Sequence, residues 1–516
     1  MNGTMRRKAV AALGFAASLA LASPAQSDHT VRGVVQSKGT GPHAKLRWQG
    51  PGTCLRCHDS EARQVFFSDH YQWSGDAPFI VGSDGPQGKM TAINSYCGNI
   101  TGNWGGCSKC HVGVGAVPEP QPSQAQLANI DCLLCHQKEY KRKKVGDQWV
   151  PDTEAMTITM DQAVRTVHQP VRANCLQCHA NGGGGDNYKR GDLAMAHAAT
   201  SDRAFDVHMA TTGANLACQS CHDFEDHLVA GRGSDLRVTE STAPIGCSTS
   251  SCHTDKSSLR GHDNETIGRH VARVACQTCH VSTFARNAAD TTATEATETY
   301  RNWLEPHPTP SGQIHPTVTL ANDLKPKYFF WNGHSTGVSL FDEVSPDPVT
   351  GRYTTSRPVG AIDESASKLF PFKVKAANYP LATRVNQLVA LDTKVYFATG
   401  DAQAATVSGL VNMGFSPSEP VAWVETDTYQ LITHEVRREE QALQCANCHG
   451  TTTQMDLKGE LGYALKAPQS TVCVQCHGQK ERKSFTELHN KHVKDKRYDC
   501  SWCHSFSRPE RGLRMP

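Results

Sequence analysis

Eighteen of the 21 cysteines fall in nine Cys-x-x-Cys-His pentapeptides. They are Cys54, Cys57 and His58; Cys107, Cys110 and His111; Cys132, Cys135 and His136; Cys175, Cys178 and His179; and Cys218, Cys221 and His222. The chain continues with Cys276, Cys279 and His280; Cys445, Cys448 and His449; Cys473, Cys476 and His477; and Cys500, Cys503 and His504. Cys247, Cys252 and His253 form a stretched tenth, and only Cys97 stands outside any motif. Disulfide frameworks, zinc sites and thioredoxin-like centres all use paired cysteines, but none requires His at the next position. With 25 His in 516 residues, ten of them following ten cysteine pairs is no coincidence. On one helical turn residues i, i+3 and i+4 share a face, so both thiols reach the two vinyl groups of one porphyrin and the His rises beneath its iron. The pattern therefore reads as ten covalently attached haems c. In the tenth motif the thiols are five apart, so its loop must bulge.

A haem that only carries electrons is best served by two strong axial ligands. Ten proximal histidines leave 15 others. His70, His208, His227, His262, His270, His434, His489 and His492 stand in His-rich contexts close to the motifs and are the expected distal ligands. His168, His197 and His334 are reserves, whereas His29, His43, His307 and His315 read as ordinary surface or hydrogen-bonded residues.

The elements that must position these groups are sparse. Hydrophobic residues make up 38% and aromatics 7% of the chain, a thin apolar supply, so cofactor must fill the interior. Residues 1–22, with Arg6, Arg7 and Lys8 before an Ala- and Leu-rich run, read as a secretory signal peptide, which predicts a periplasmic protein. No later stretch reaches the roughly 20 apolar residues of a membrane span, so no membrane anchor is expected. A formal charge of +2 argues against nucleic acid. Residues 23–50 form a polar leader, 51–290 a seven-haem region, 291–440 a haem-free wrapping region and 441–516 a three-haem C-terminal region. The expected fold is mainly α with long loops, a multihaem cytochrome c fold organised around a haem stack. Residues 401–413 have helical Ala and Val spacing, and Gly182–Gly185 reads as a tight turn rather than a phosphate loop. The aromatic segments Tyr328–Trp331, Phe370–Phe372 and Tyr396–Phe397 lie in the haem-free region, either as a wrap that shields haems or as a pocket wall.

Several segments together resemble the octahaem tetrathionate reductase family of periplasmic cytochromes. They include Asp69-His70-Tyr71-Gln72-Trp73, Ile93-Asn94-Ser95-Tyr96-Cys97, Ile130-Asp131-Cys132, Gly191-Asp192-Leu193, Asp206-Val207-His208-Met209 and Glu425-Thr426-Asp427-Thr428-Tyr429 with His434. The likeness spans about residues 51–450, and the motifs at Cys473 and Cys500 lie beyond it, as an added electron port. The resemblance implies that one haem, the second, on Cys107, Cys110 and His111, takes a lysine as axial ligand. In Gln137-Lys138-Glu139-Tyr140-Lys141-Arg142-Lys143-Lys144, Lys141 matches best, and Lys143 or Lys144 could serve instead. It also implies that Cys97 matches a family cysteine near that haem, so His111, Lys141 and Cys97 are the candidate catalytic residues. The implied activity is multi-electron reduction of tetrathionate, nitrite or hydroxylamine, with Lys138, Lys141, Arg142, Lys143 and Lys144 as cations for a small inorganic anion. The alternative is a pure conduit with every haem saturated. Either way the expected partner is a quinol-linked or periplasmic electron-donor protein.

Overall fold

The computed structural model describes residues 41–506 apart from 83–84, 232–239, 242, 244, 249–251, 254–261, 263–264, 311, 363, 450–453, 458–460, 462, 475–476, 478–483 and 499–501, with backbone alone at 265, 266, 269, 449, 463, 469, 470, 485, 486, 505 and 506. The signal-peptide region, the leader to residue 40 with His29, Cys476, Cys500 and the side chain of His449 lie outside the described residues.

Up to Cys279 the chain is punctuated by short helices, and several of them carry the motifs. Arg172–His179, Leu133–His136, Cys276–His280 and Cys445–His449 each end on a motif histidine, as the i, i+3, i+4 spacing requires. Two hairpins interrupt this region, β1 (Arg142–Val145) with β2 (Gln148–Pro151), and β3 (Phe224–Glu225) with β4 (Leu228–Val229). The apolar clusters here are small: Phe66, Tyr71, Leu127 and Ile130 form one, and Leu133, Leu134, Tyr140 and Val164 anchor another. The helix Ala402–Asn412 follows the predicted spacing, and Asp401 caps it by accepting from the Ala404 N–H.

The expectation of a mainly α fold is wrong. The chain is 28% helix and 22% strand, with one large mixed sheet built from the cysteine-free stretch. Its strands are β5 (Thr297–Pro308), β6 (Ile314–Ala321), β7 (Lys327–Trp331), β8 (His334–Gly337), β9 (Tyr353–Val359), β10 (Lys368–Ala382), β11 (Gln387–Leu388) and β12 (Val421–Leu431). They run in the order β6-β5-β10-β12-β9-β8, and β7 and β11 also pair with β10. β10 is parallel to β5 and antiparallel to β12, whereas β12 is parallel to β9. β10 is buried along almost its whole length on both faces. Its lysines Lys373 and Lys375 are buried too, so polar positions in its sequence do not mark a solvent face.

The sheet supplies the one sizeable apolar core among the described residues, with Trp303, Tyr379, Leu381, Leu391, Tyr396 and Leu410 packed together. Tyr328–Trp331 form β7, and Phe372 packs against Phe329 and Trp331. A period of two puts Lys373, Lys375, Ala377 and Tyr379 of β10 on one face. That face meets the Gly182 turn and the loop bearing Cys97. Gly183 and Gly184 of the turn have φ of 88° and 108°, which a side chain tolerates poorly. A long-range antiparallel pair, β13 (Tyr463–Leu465) with β14 (His504–Phe506), brackets the C-terminal helices.

Candidate haem sites and the second-motif pocket

A cavity of about 3400 Å³ runs through the helical region, lined by cysteines of the first seven motifs. A pocket for one drug-sized ligand holds roughly 300–1,000 Å³, so this space suits several large cofactors. The histidines around it meet in pairs. Ring centroids lie 6.2 Å apart for His43 and His58, 6.2 Å for His70 and His179, 6.4 Å for His136 and His227, and 6.1 Å for His208 and His253. The spacing is 6.4 Å for His222 and His434 and 6.3 Å for His262 and His280. In the C-terminal region it is 5.7 Å for His477 and His492 and 6.2 Å for His489 and His504. Two metal–imidazole bonds of about 2 Å plus two ring half-widths sum to roughly 6 Å. Each pair is therefore spaced to clasp one iron, and the residues fit haem.

Hydrogen bonds orient these rings. Nδ1 of His136 faces the His168 carbonyl at 3.0 Å, that of His222 the Ala230 carbonyl at 2.9 Å, and that of His492 the Leu488 carbonyl at 2.9 Å. Nδ1 of His434 faces Asp192 at 3.2 Å, and Asp192 is wholly buried beside Arg190. A protein acceptor on Nδ1 fixes the tautomer that leaves Nε2 for a metal. Burial pushes the His179 ring down to about 3, which favours the neutral form that a metal takes.

Of the expected distal ligands, seven stand in these pairs. His270 ends the helix Glu265–His270, and the motif left for it is that of His449, whose side chain lies outside the described residues. His43, read from sequence as ordinary, faces His58 instead. The signal was arithmetic: ten motifs need ten second ligands, and eight histidines plus one lysine leave one place open. The reserves are otherwise engaged. His168 accepts from the Lys138 N–H at 3.0 Å, His197 lies fully buried 3.7 Å from Asp206, and the His334 ring packs on Phe79. His307 and His315 face each other across β5 and β6 and line the cavity mouth.

His111 is different. Its ring is fully buried, and its Nε2–H donates to the Tyr71 carbonyl at 2.7 Å while Nδ1 accepts from the Gly113 N–H at 3.0 Å. Tyr71, Trp73 and Trp104 enclose it at centroid distances of 4.9, 5.3 and 5.2 Å. Both nitrogens are thus bound to backbone.

The basic segment after the third motif folds as the β1–β2 hairpin, and its cations divide by position. Arg142 is buried as a strut, donating to the Lys109 carbonyl at 2.7 Å and the Gly113 carbonyl at 2.9 Å, with Asp131 at 3.5 Å. Lys143 turns to Asp152 and Glu154. Lys138 lies 3.9 Å from Glu139, and Lys141 is exposed and absent from the cavity lining. Lys144, also exposed, does line the cavity, with its Nζ close to Gly105 just before the second motif and Asp147 at 3.8 Å.

Cys97 lines the same cavity opposite the second motif. Its N–H donates to the Asn94 side chain at 2.8 Å, and Trp303 and Arg301 of β5 hold the neighbouring Ser95 and Tyr96 carbonyls. Arg301 forms a two-pronged pair with buried Glu298, which Lys375 also approaches at 2.9 Å, and the Lys375 ammonium sits 4.5 Å over the Tyr96 ring. Burial pushes Lys375 down to about 8 against the pull of Glu298. Arg301, Lys189 and Lys89 complete a cationic lining on this side. These residues are scattered through the sequence and formed no visible cluster.

A family described as bacterial cytochrome c matches residues 312–452. An uncharacterized protein of Archaeoglobus fulgidus is 33% identical over 226 residues, covering 35% of this chain and 75% of that protein. The family match thus covers about a quarter of the chain, most of it in the cysteine-free stretch with the motif at Cys445 at its end. The crystal structure of octaheme cytochrome c from Shewanella oneidensis has the same fold, with a TM-score of 0.68 and 24% identity over 86% of this cytochrome and 100% of that chain. The chain thus has the fold of a multihaem c-type cytochrome. No helix among its described residues is long and apolar enough to cross a membrane.

Proposed function

We propose that this cytochrome is a periplasmic reductase that holds ten haems c and delivers electrons to a small inorganic anion at the second motif. The observation that carries the reading is His111, both of whose ring nitrogens are spent on backbone while eight other motif histidines each face a second imidazole. Cys107 and Cys110 would attach the haem there. Of the four lysines in the basic segment, Lys144 is the one that lines the cavity together with those thiols, and Lys141 and Lys143 are the comparisons. When bound, haem supplies the one-electron centres and, at the second motif, an iron position open to substrate. The chain's own residues do the rest. Arg301, Lys189 and Lys89 attract the anion, the hydrophobic cover of Trp73 and Trp104 limits water, and β5 fixes the loop bearing Cys97 across the pocket.

Neighbouring attachment points also support relay between sites. The thiols of Cys54 and Cys132, Cys110 and Cys178, Cys175 and Cys218, and Cys247 and Cys276 lie within hydrogen-bonding reach of one another. This contiguity is what favours the conduit as the second reading.

Lys144→Ala is the test. It is expected to shift the spectrum of one haem alone and lower tetrathionate, nitrite or hydroxylamine reduction by an artificial donor at least tenfold, about 1.4 kcal/mol in barrier, while Lys141→Ala leaves both unchanged. The opposite result reassigns the ligand to Lys141. If no lysine variant matters and the parent binds neither nitric oxide nor cyanide, the conduit replaces the reductase.

A further inference from the structure

The two last motifs are bound together by one helical segment. Phe485–His489 is an α-helix that runs straight into a π-turn, Asn490–Asp495. His489 faces His504 and His492 faces His477, so residues three apart on one segment serve two motifs. Next to this segment the rings of Tyr498 and Trp502 stack at 5.1 Å with only 5° between their planes, and Tyr498 lies 6.1 Å from the His492 ring. Trp502 is 61% exposed and Tyr498 40% exposed. A flat aromatic plate thus reaches from solvent to a ring that faces a motif histidine.

The surroundings of that plate are basic. Lys491, Lys494, Lys496 and Arg497 are all exposed. Residues 466–516 hold eleven Lys and Arg against five Asp and Glu, a net +6, so the first 465 residues stand at −4 by difference from the chain's +2. A near-neutral chain has therefore gathered its positive charge at one end. Aromatic residues at the centre of a patch with a charged rim are the anatomy of a protein docking site, and a basic rim steers an acidic partner.

We propose that the face formed by Tyr498, Trp502, Lys491, Lys494, Lys496 and Arg497 docks a small acidic redox protein. The proposal rests on reading His477 with His492 and His489 with His504 as ligand pairs. Each encounter passes one electron from the partner's reduced centre, which is oxidised, to an oxidised centre of this chain, and no bond forms or breaks. A protein is favoured over an anionic membrane because Asp495 lies within the patch, 3.8 Å from Lys491. A lipid headgroup layer repels such a carboxylate, whereas a folded partner can place a base beside it.

The test uses the full holoprotein, a photoreduced acidic flavodoxin as donor, and the triple variant Lys491→Glu/Lys494→Glu/Lys496→Glu. Stopped-flow reduction of the parent should slow as salt is raised, and the variant should react at least tenfold more slowly at low salt with little salt dependence. Reduced methyl viologen should reduce both proteins at one rate, and carbodiimide cross-links should join flavodoxin to Lys491, Lys494 or Lys496. Equal rates with flavodoxin at all salt concentrations, or cross-links confined to other lysines, overturn the docking surface while leaving the haem reading intact. Pelleting of the parent but not the variant with phosphatidylserine vesicles, with an unchanged flavodoxin rate, overturns it in favour of a membrane face. A parent mass short by two haems overturns the ligand pairs, and the surface falls with them.

Discussion

Replacing Arg301 with methionine removes a cation that makes four hydrogen bonds beside the second-motif pocket. Arg301 is 5% exposed and donates to both oxygens of Glu298 at 2.8 and 2.6 Å, to the Gly183 carbonyl at 2.6 Å and to the Tyr96 carbonyl. Breaking a buried pair by deleting one partner costs about 3–5 kcal/mol, because the other charge is left uncompensated. Two carbonyls orphaned at about 1–3 kcal/mol each would add to this. Lys375, still 2.9 Å from Glu298, takes back part of the loss, so about 4 kcal/mol is the working figure. Glu298→Gln in the same background removes the stranded charge. The double variant should therefore cost at least about 2 kcal/mol less than the sum of the single changes. Guanidinium unfolding followed by the far-ultraviolet circular dichroism of the sheet measures these costs. Cys97 provides the second readout, since in the holoprotein the other twenty cysteines belong to haem motifs. Its loop would keep the Trp303 bond to Ser95 at 2.7 Å but lose its anchor at Tyr96, so maleimide should label Cys97 faster. Additive costs within about 0.5 kcal/mol together with an unchanged labelling rate would show that Arg301 neither balances Glu298 nor positions the loop.

His43→Ala should convert one haem, that of the first motif, to a high-spin form that binds cyanide, leaving the remaining spectrum intact; an unaltered spectrum means His43 faces His58 without ligating. Burial and nearby Asp186 push the Glu295 carboxyl up to about 7, and neither of its oxygens has a hydrogen-bond partner. The folded chain then holds a proton that the unfolded chain releases near its ordinary value, so this group's contribution to stability is lost as pH rises from about 4.5 to 7. Glu295→Gln should accordingly melt above the parent at pH 8 and with it at pH 4, whereas equal melting at both would place the carboxyl in water. Intact mass of the mature protein should exceed that of the chain by ten haems, roughly 6 kDa, and expression without c-type maturation should yield a protease-sensitive chain; a compact apoprotein with a cooperative melt would contradict the second expectation.

The attachment chemistry was legible in the sequence because it is local. Two thiols and an imidazole within five residues need only one turn of helix, so spacing alone names the cofactor. His70 and His227, singled out for their local context, each face a motif histidine. The imidazole opposite His58 was not foreseen, since His43 carries no motif of its own and meets that ring only where the chain folds back. The sheet escaped because β10 is buried on both faces and even Lys373 and Lys375 point into the protein, so its polar residues gave no sign of which face meets water. The pocket escaped because Lys89, Lys189 and Arg301 lie far apart in the chain, and β5 and β10 bring Arg301 and Lys375 up against the Cys97 loop. Which nitrogen of His111 meets which backbone group, and which lysine of a basic run reaches the cavity wall, are likewise decided by the β1–β2 hairpin and the aromatic box around it. The sequence by itself determined what is attached and where, because covalent attachment is read residue by residue. Only the tertiary structure decided which described motif histidine faces backbone instead of a second imidazole, because that depends on which groups the fold brings to it.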